Sequence, residues 1–333
     1  MKKIFITGGS GYIGSHACVE LLRHNHEVMV FDNLSNSSPE VINKVRLIAN
    51  KQPEFVIGDI RDEAALADAM LSFKPDSVIH FAGLKAVAES LTNPLNYYDV
   101  NVHGSLNVLR TMSRVGCKEI VFSSSAAVYG DKSKPPFCES YPVFPVSPYG
   151  RSKLMIEEII SDWVSTENDS RAVILRYFNP VGAHVSGLIG EAPNGDPNNL
   201  MPIIAQVAQR KRANLTIFGS DYDTRDGTAE RDFIHVSDLA IGHVQAIENI
   251  ANLNRKQILN LGTGKTTSVK ELIEVFEKTN RVSIPFLIAG RRAGDVPISF
   301  ADPTLAYKLI GFECKKSLSE MCADTWNWIN TNT

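Results

Sequence analysis

The sequence predicts an α/β fold: a doubly wound parallel sheet with helices on both faces, followed by a smaller C-terminal lobe. Three observations predict it. Short apolar runs with the length of buried strands recur at 3–7, 27–31, 54–57, 77–81, 119–123 and 172–176. Helix-like segments at 15–23, 39–50, 62–72, 96–114 and 149–164 separate most of them, the alternation of right-handed βαβ units. Glycines and polar residues cluster just after the strands, on the sheet edge where ligands of such folds sit.

The first strand leads straight into Thr7-Gly8-Gly9-Ser10-Gly11-Tyr12-Ile13-Gly14. Strand, glycine turn and helix together form a phosphate cradle. Gly8 permits the tight turn, Gly11 leaves room for a pyrophosphate against the backbone, and Gly14 lets the helix pack on the strand. The helix N-terminus then directs free N–H groups at the phosphates. The spacing is GxxGxxG, and alone it also fits a turn without a ligand. Asp32 supplies the confirmation: it closes the second strand, where an acid bonds the adenosine ribose of a Rossmann-type fold. A carboxylate there repels a 2′-phosphate, so NAD is expected over NADP.

After the third strand, Asp59 lies within reach of an adenine amino group. After the fourth, Phe81-Ala82-Gly83-Leu84-Lys85 offers small residues for close backbone approach, then a cation. After the fifth comes Ser123-Ser124-Ser125-Ala126-Ala127, and after the sixth Tyr177-Phe178-Asn179-Pro180. Each alone reads as a polar turn; four on one sheet edge read as one site.

With 333 residues, 44% hydrophobic and 21% charged, the chain is long enough for one large core and a smaller domain. Its net charge of −3 draws it neither to nucleic acid nor to an anionic membrane. The five cysteines form no CxxC pair and read as reduced thiols of a cytoplasmic protein. Lys2-Lys3 resembles a signal-peptide start, but the apolar run stops at Gly8. No stretch reaches transmembrane length, and no histidine spacing suggests a metal.

Residues 1–180 form the expected dinucleotide-binding domain. Beyond them, Pro193 to Pro197 make a turn-rich loop containing Asp196. Asn198-Asn199-Leu200-Met201-Pro202 leads into a helix at 203–210, and 215–219 reads as a strand. Residues 181–333 are mainly a substrate lobe, with 234–261 returning to the main sheet. Gly262-Thr263-Gly264-Lys265-Thr266 is not a P-loop, because position 259 is leucine rather than glycine. Ser268 instead caps a helix at 269–279.

Tyr149-Gly150-Arg151-Ser152-Lys153, introduced by Pro148, puts a phenol and an ammonium on one helix face. The ammonium is expected to favour the phenolate and to lower the phenol's pKa. Such a tyrosine takes the proton of a sugar hydroxyl while hydride leaves the same carbon. Ser125, at the end of the fifth strand, shares a hydrogen bond with that hydroxyl. A solvent-facing Tyr-x-x-x-Lys is the plainer reading of the motif alone, and the dinucleotide site outweighs it.

These segments, with Arg176-Tyr177-Phe178-Asn179-Pro180-Val181-Gly182-Ala183, resemble the extended short-chain dehydrogenase/reductase superfamily. Within it the chain is similar nearly end to end to the UDP-glucose 4-epimerase family. That likeness runs through Asn198-Asn199-Leu200-Met201-Pro202, Gly227-Thr228, Arg231-Asp232 and Arg291-Arg292-Ala293-Gly294-Asp295. The resemblance implies that Tyr12, Ile13, Asp32, Asn33, Ser37, Asp59, Ile60, Phe81, Lys85, Lys153 and Phe178 hold NAD. It implies that Ser125 and Tyr149 act on the sugar, with Lys85 beside both ligands. Asn179, Asn199, Leu200, Thr216, Phe218, Arg231, Arg292 and Asp295 would hold the UDP part, the arginines clamping phosphate and Asp295 accepting ribose hydroxyls.

The implied reaction is transient oxidation at the sugar's fourth carbon, rotation of the keto sugar, and return of the hydride to its other face. In the family, the residue five places after Gly294 gates the sugar pocket and is often tyrosine. Here it is Ser299, which implies room for an N-acetyl group and action on UDP-GlcNAc and UDP-GalNAc as well. A homodimer through the helices near 96–114 and 149–164 is also implied. Two rivals share the machinery. An NDP-sugar 4,6-dehydratase needs Asp-Glu where this chain has Ala126-Ala127, and a non-catalytic NAD-binding regulator would lack the tyrosine or the lysine.

Overall fold

The computed structural model describes every residue except Asp196, Asn198, Ala293, Gly294 and Thr333. Those positions of the sequence motifs lie outside the described residues. Six strands, β1 (Lys3–Thr7), β2 (Glu27–Asp32), β3 (Glu54–Ile57), β4 (Ser77–His80), β5 (Glu119–Ser123) and β6 (Arg171–Tyr177), join an edge strand, Lys256–Leu261, in one seven-stranded sheet. Every pairing in it is parallel. From one edge the order is Lys256–Leu261, β6, β5, β4, β1, β2, β3. The strand order therefore reverses at β1, between β4 and β2, and this switch point opens a crevice at the carboxyl ends.

The alternation of side chains along β1 explains why both faces are covered. Ile4 and Ile6 enter one core with Leu21 of α1 (Tyr12–Arg23) and with Leu239 and Ile247 of the helix Val236–Asn249. Phe5 enters the opposite core with Met70, Val108, Met112, Ile156 and Ile160. These come from the helices Glu63–Phe73, Gly104–Val115 and Pro148–Thr166. A third core, including Ile204, Leu215, Phe276 and Met321, holds the C-terminal lobe together. In that lobe Leu215–Phe218 pairs in parallel with Phe286–Ala289. Ser268 forms a capping box with Glu271 at the start of Val269–Asn280.

Three expectations need correction. Helix α1 begins at Tyr12 rather than at residue 15, because Gly11 itself is the N-cap. The helix expected at 96–114 is broken into Pro94–Tyr97, a π-helical turn Tyr98–His103, and Gly104–Val115. The π turn presents Asn101, whose amide accepts from Leu84 N at 2.7 Å and donates to Ser152 Oγ at 3.0 Å. Of the segment 234–261, the helix Val236–Asn249 and the strand Lys256–Leu261 pack into the main sheet's architecture. Phe233–His235 does not: it pairs with Asn179–Val181.

Among the described residues no helix is long and apolar enough to cross a membrane. No group of His, Cys, Asp and Glu among them is arranged to hold a metal ion. All five cysteines are free thiols.

Candidate active site

At the switch point two glycines serve the chain's own packing. Gly8 has φ +72°, and a Cβ there would lie 2.6 Å from Ala82 N, so the turn after β1 presses on the loop after β4. A Cβ on Gly14 would meet Gly8 O at 2.3 Å. Gly11 is different. A Cβ there would meet only Gly8 O, at 3.3 Å, and no side chain caps the helix it begins. Open backbone at a helix N-terminus beside the crevice suits a pyrophosphate.

Asp32, 8% exposed, is fixed at the end of β2. Its carboxylate accepts from Ser10 N at 2.9 Å, Leu34 N at 2.9 Å and Ser37 Oγ at 3.2 Å. A carboxylate has about four acceptor positions, so room remains for a ribose hydroxyl. Asn33 and Asp59 join the turns after β2 and β3, Nδ2 donating to Oδ2 at 2.9 Å. The Arg61 guanidinium forks onto Asp59 at 3.0 and 2.8 Å and holds its carboxyl well below the usual range. The carboxylate expected to reach an adenine amino group is thus engaged by Arg61. Ile60 is buried against Gly104.

After β4, Phe81 packs on the His243 ring at 4.7 Å, and Ala82 N donates to Thr7 O at 3.1 Å. Gly83 has φ +154° and backs onto Asn101. Lys85 Nζ donates to Glu191 Oε1 at 2.7 Å, the oxygen that also accepts from Asn199 Nδ2 at 2.7 Å. Tyr12 lies beneath Lys85 and donates to Gly182 O at 2.6 Å, while Ile13 packs against the core.

The helix Pro148–Thr166 starts at the Ser147 cap, whose oxygen accepts from Gly150 N, with Pro148 in its first turn. That start places Tyr149 and Lys153 in the protein, 7% and 5% exposed. Burial pushes the Tyr149 phenol up from its ordinary value, and the nearby Ser125 hydroxyl pulls more weakly the other way. The expectation of a depressed phenol is therefore corrected. The Lys153 ammonium is engaged elsewhere, donating to Ser123 O at 2.8 Å above the Phe122 ring. Burial pulls Lys153 down to about 8, against the opposing pull of Glu157.

Phe178, stacked on Phe137 at 6.3 Å, leads to Asn179, whose N–H donates to Asp232 O at 3.0 Å. Thr216 and Phe218 share the exposed face of their strand. Arg292 lies 5.6 Å over the Phe218 ring. It forks onto Asp295 at 3.2 and 2.9 Å, so the expected phosphate clamp and ribose acceptor are paired with each other. Among the described residues, the Arg231 guanidinium donates to the carbonyls of Glu230, at 2.9 Å, and Pro297, at 3.4 Å. Ser299 stands opposite Arg231 in a short parallel pairing. Leu200 begins the helix Leu200–Ala208 directly after Asn199.

Asn101 and Glu191 were not singled out from the sequence. Asn101 carried no signal because its flanking valines do not share its helix face, and Glu191 none in its turn-rich loop.

A glycine cradle at a switch point and a buried Tyr-x-x-x-Lys helix packed on the same sheet define an enzyme of the dinucleotide-dependent short-chain dehydrogenase/reductase class. The chain belongs to the NAD dependent epimerase/dehydratase family, matched over residues 4–262, and within it to the UDP-glucose 4-epimerases. A UDP-glucose 4-epimerase of Bacillus subtilis (strain 168) is 49% identical over 329 residues, covering 99% of this chain and 97% of that protein. A solved UDP-glucose-4-epimerase from Stenotrophomonas maltophila, with bound NAD and formylated UDP-arabinopyranose, superposes with TM-score 0.97 at 46% identity, covering 100% of this chain and 99% of that one. The UDP-Glc/GlcNAc 4-epimerase from Campylobacter jejuni has TM-score 0.87 and 37% identity, covering 99% of this chain and 100% of that one.

Proposed function

We propose that the protein is a UDP-hexose 4-epimerase that interconverts UDP-glucose with UDP-galactose and UDP-GlcNAc with UDP-GalNAc. The observation that carries the reading is the burial of Tyr149 and Lys153 on one helix face against the end of β5, Lys153 Nζ donating to Ser123 O at 2.8 Å, two strands from the glycine cradle. The open backbone at Gly11 and the oriented Asp32 carboxylate fit NAD. Gly8, Gly11, Tyr12, Ile13 and Gly14 would take its pyrophosphate, and Asp32, Asn33, Ser37, Asp59 and Ile60 its adenosine. Phe81, Ala82, Gly83, Lys85, Lys153 and Phe178 would line the rest. When bound, NAD supplies a reversible hydride acceptor for the sugar's fourth carbon.

The chain's own groups do the remainder. Tyr149, once ionised to the phenolate, accepts the proton of the sugar's 4-hydroxyl and later returns it, and Ser125 holds that oxygen in line. Lys153 places a positive charge beside the phenol as it ionises. Asn179, Asn199, Leu200, Thr216, Phe218, Arg231, Arg292 and Asp295 hold the nucleotide, so the sugar is tethered at one end. It can then present either face to the same site. Ala126 and Ala127, which begin a short 3₁₀ turn after Ser125, provide no acid or base for dehydration.

Ser299 supports the N-acetyl activity, since its small side chain stands beside Arg231 where a tyrosine would add a ring. The Campylobacter jejuni protein, named for both substrates, supports it too. A homodimer through the helices near 96–114 and 149–164 is part of the proposal: Met155 is 44% exposed on the second of them, and Leu91 and Leu95, in the short helices that precede the first, are 57% and 79% exposed. The five unpaired thiols support a cytoplasmic setting. The test is incubation of the purified protein, without added cofactor, with each of the four UDP-sugars. All four should convert, and Ser299→Tyr should selectively remove the N-acetyl pair. Equal loss on both pairs would sink the assignment of Ser299.

A further inference from the structure

On the catalytic helix an acid follows the lysine by one turn. Tyr149, Lys153 and Glu157 recur every four residues and share one face. Glu157 is 3% exposed and fully bonded. Its Oε1 accepts from Ser124 Oγ at 2.5 Å, and the Arg176 guanidinium of β6 forks onto it at 3.0 and 2.6 Å. Arg176 also lies 5.0 Å over the Tyr129 ring, and its Nη1 is buried with no partner among the described residues.

Ser124 stands between the two residues that serve the site. The carbonyl before it, Ser123 O, receives the Lys153 ammonium at 2.8 Å; the hydroxyl after it, on Ser125, accepts from Ala127 N at 3.2 Å and lies by the Tyr149 phenol. We infer that Glu157 is a positioning residue: gripped by Arg176, it pins Ser123–Ser125 against the catalytic helix and keeps the buried Lys153 ammonium charged. This rests on the epimerase reading above and deepens it.

The charges around Lys153 support the assignment. From β4 it faces His80, which burial and Lys153 itself press down to about 3. His243, on the helix behind, reaches Ser123 Oγ at 3.3 Å and is held neutral by burial, near 4. Tyr177 of β6 accepts from Ser123 Oγ at 3.1 Å, and Tyr97 lies near Tyr149 with its own phenol raised by burial. Arg176 is a second cation. Glu157 alone among these groups is an anion, and without it two buried cations share the site.

The test follows the titration of Lys153 Nζ by its ¹⁵N resonance in the NAD-loaded protein, together with the pH profile of kcat. Glu157→Gln should lower the Lys153 titration, and the alkaline limb of the profile, by about one pH unit. Arg176→Met leaves the carboxylate unopposed and should raise both. The double variant Glu157→Gln/Arg176→Met removes both charges and should restore the titration to within about 0.3 unit while kcat stays depressed, because the side chain that Ser124 bonds is no longer gripped from β6. Buried pairs tolerate removal of both partners better than of one, so the double variant is also the safest to fold. A titration unmoved in both single variants, or displaced in the double, overturns the inference. The Nζ signal reads Glu157 whether or not sugar is turned over, so failure of the epimerase reading shows separately as an inactive parent protein.

Discussion

Arg231→Ala should weaken UDP binding by roughly 10- to 150-fold, and by more than Arg292→Ala. The Arg231 guanidinium is held by two carbonyls, Glu230 O at 2.9 Å and Pro297 O at 3.4 Å. Among the described residues no carboxylate lies within salt-bridge distance of it. It therefore enters binding as a fixed cation with nothing to give up. Hydrogen bonds to a charged partner are each worth about 1.5–3 kcal/mol, which sets the range of the loss. Arg292 begins paired with Asp295 at 2.9 Å, and half of its side chain is exposed. Such a pair is worth about 0–1 kcal/mol, and loosening it offsets up to roughly fivefold of what Arg292 contributes. Calorimetric titration of the NAD-loaded protein with UDP measures both variants. Arg231→Lys, which keeps the charge and loses the fork, should fall between wild type and alanine. An Arg231→Ala effect below about threefold, or a larger effect at Arg292, refutes the reasoning.

Gly8→Ala should cost about 2–4 kcal/mol in urea unfolding, because a φ of +72° and a Cβ 2.6 Å from Ala82 N must both be accommodated, and the protein should lose NAD on purification. Tyr149→Phe should lower kcat by about 10²–10⁴-fold with NAD content unchanged, read by turnover and by absorbance of the released cofactor. Turnover should decline as pH rises through about 8, because Lys153 works in its protonated form and burial brings the loss of that proton down to this range; a rate still climbing well above that pH would contradict the role of the ammonium.

The sheet was legible because its strands are buried on both faces and so read as plain apolar runs, as Ile4-Phe5-Ile6 does. The start of α1 was not. Glycines and a tyrosine do not look like a first helical turn, and only the geometry shows Gly11 as its cap. The π turn was hidden for another reason: the groups Asn101 bridges lie 17 and 51 residues away along the chain. The small strands of the lobe are two to four residues long, too short to carry a period. Tyr149 and Lys153 were legible as neighbours from their spacing. Spacing does not say where an ammonium points, and here it points to Ser123 O. The pairing of Arg292 with Asp295 is likewise a choice among partners that residue types alone leave open.

The central claim is that the hydrogen on the sugar's fourth carbon leaves and returns within one closed site. Its most direct test uses UDP-galactose carrying deuterium at that carbon, with the purified protein in ordinary water. The account predicts UDP-glucose with the deuterium still at carbon four. Product that has exchanged the label for solvent hydrogen contradicts it.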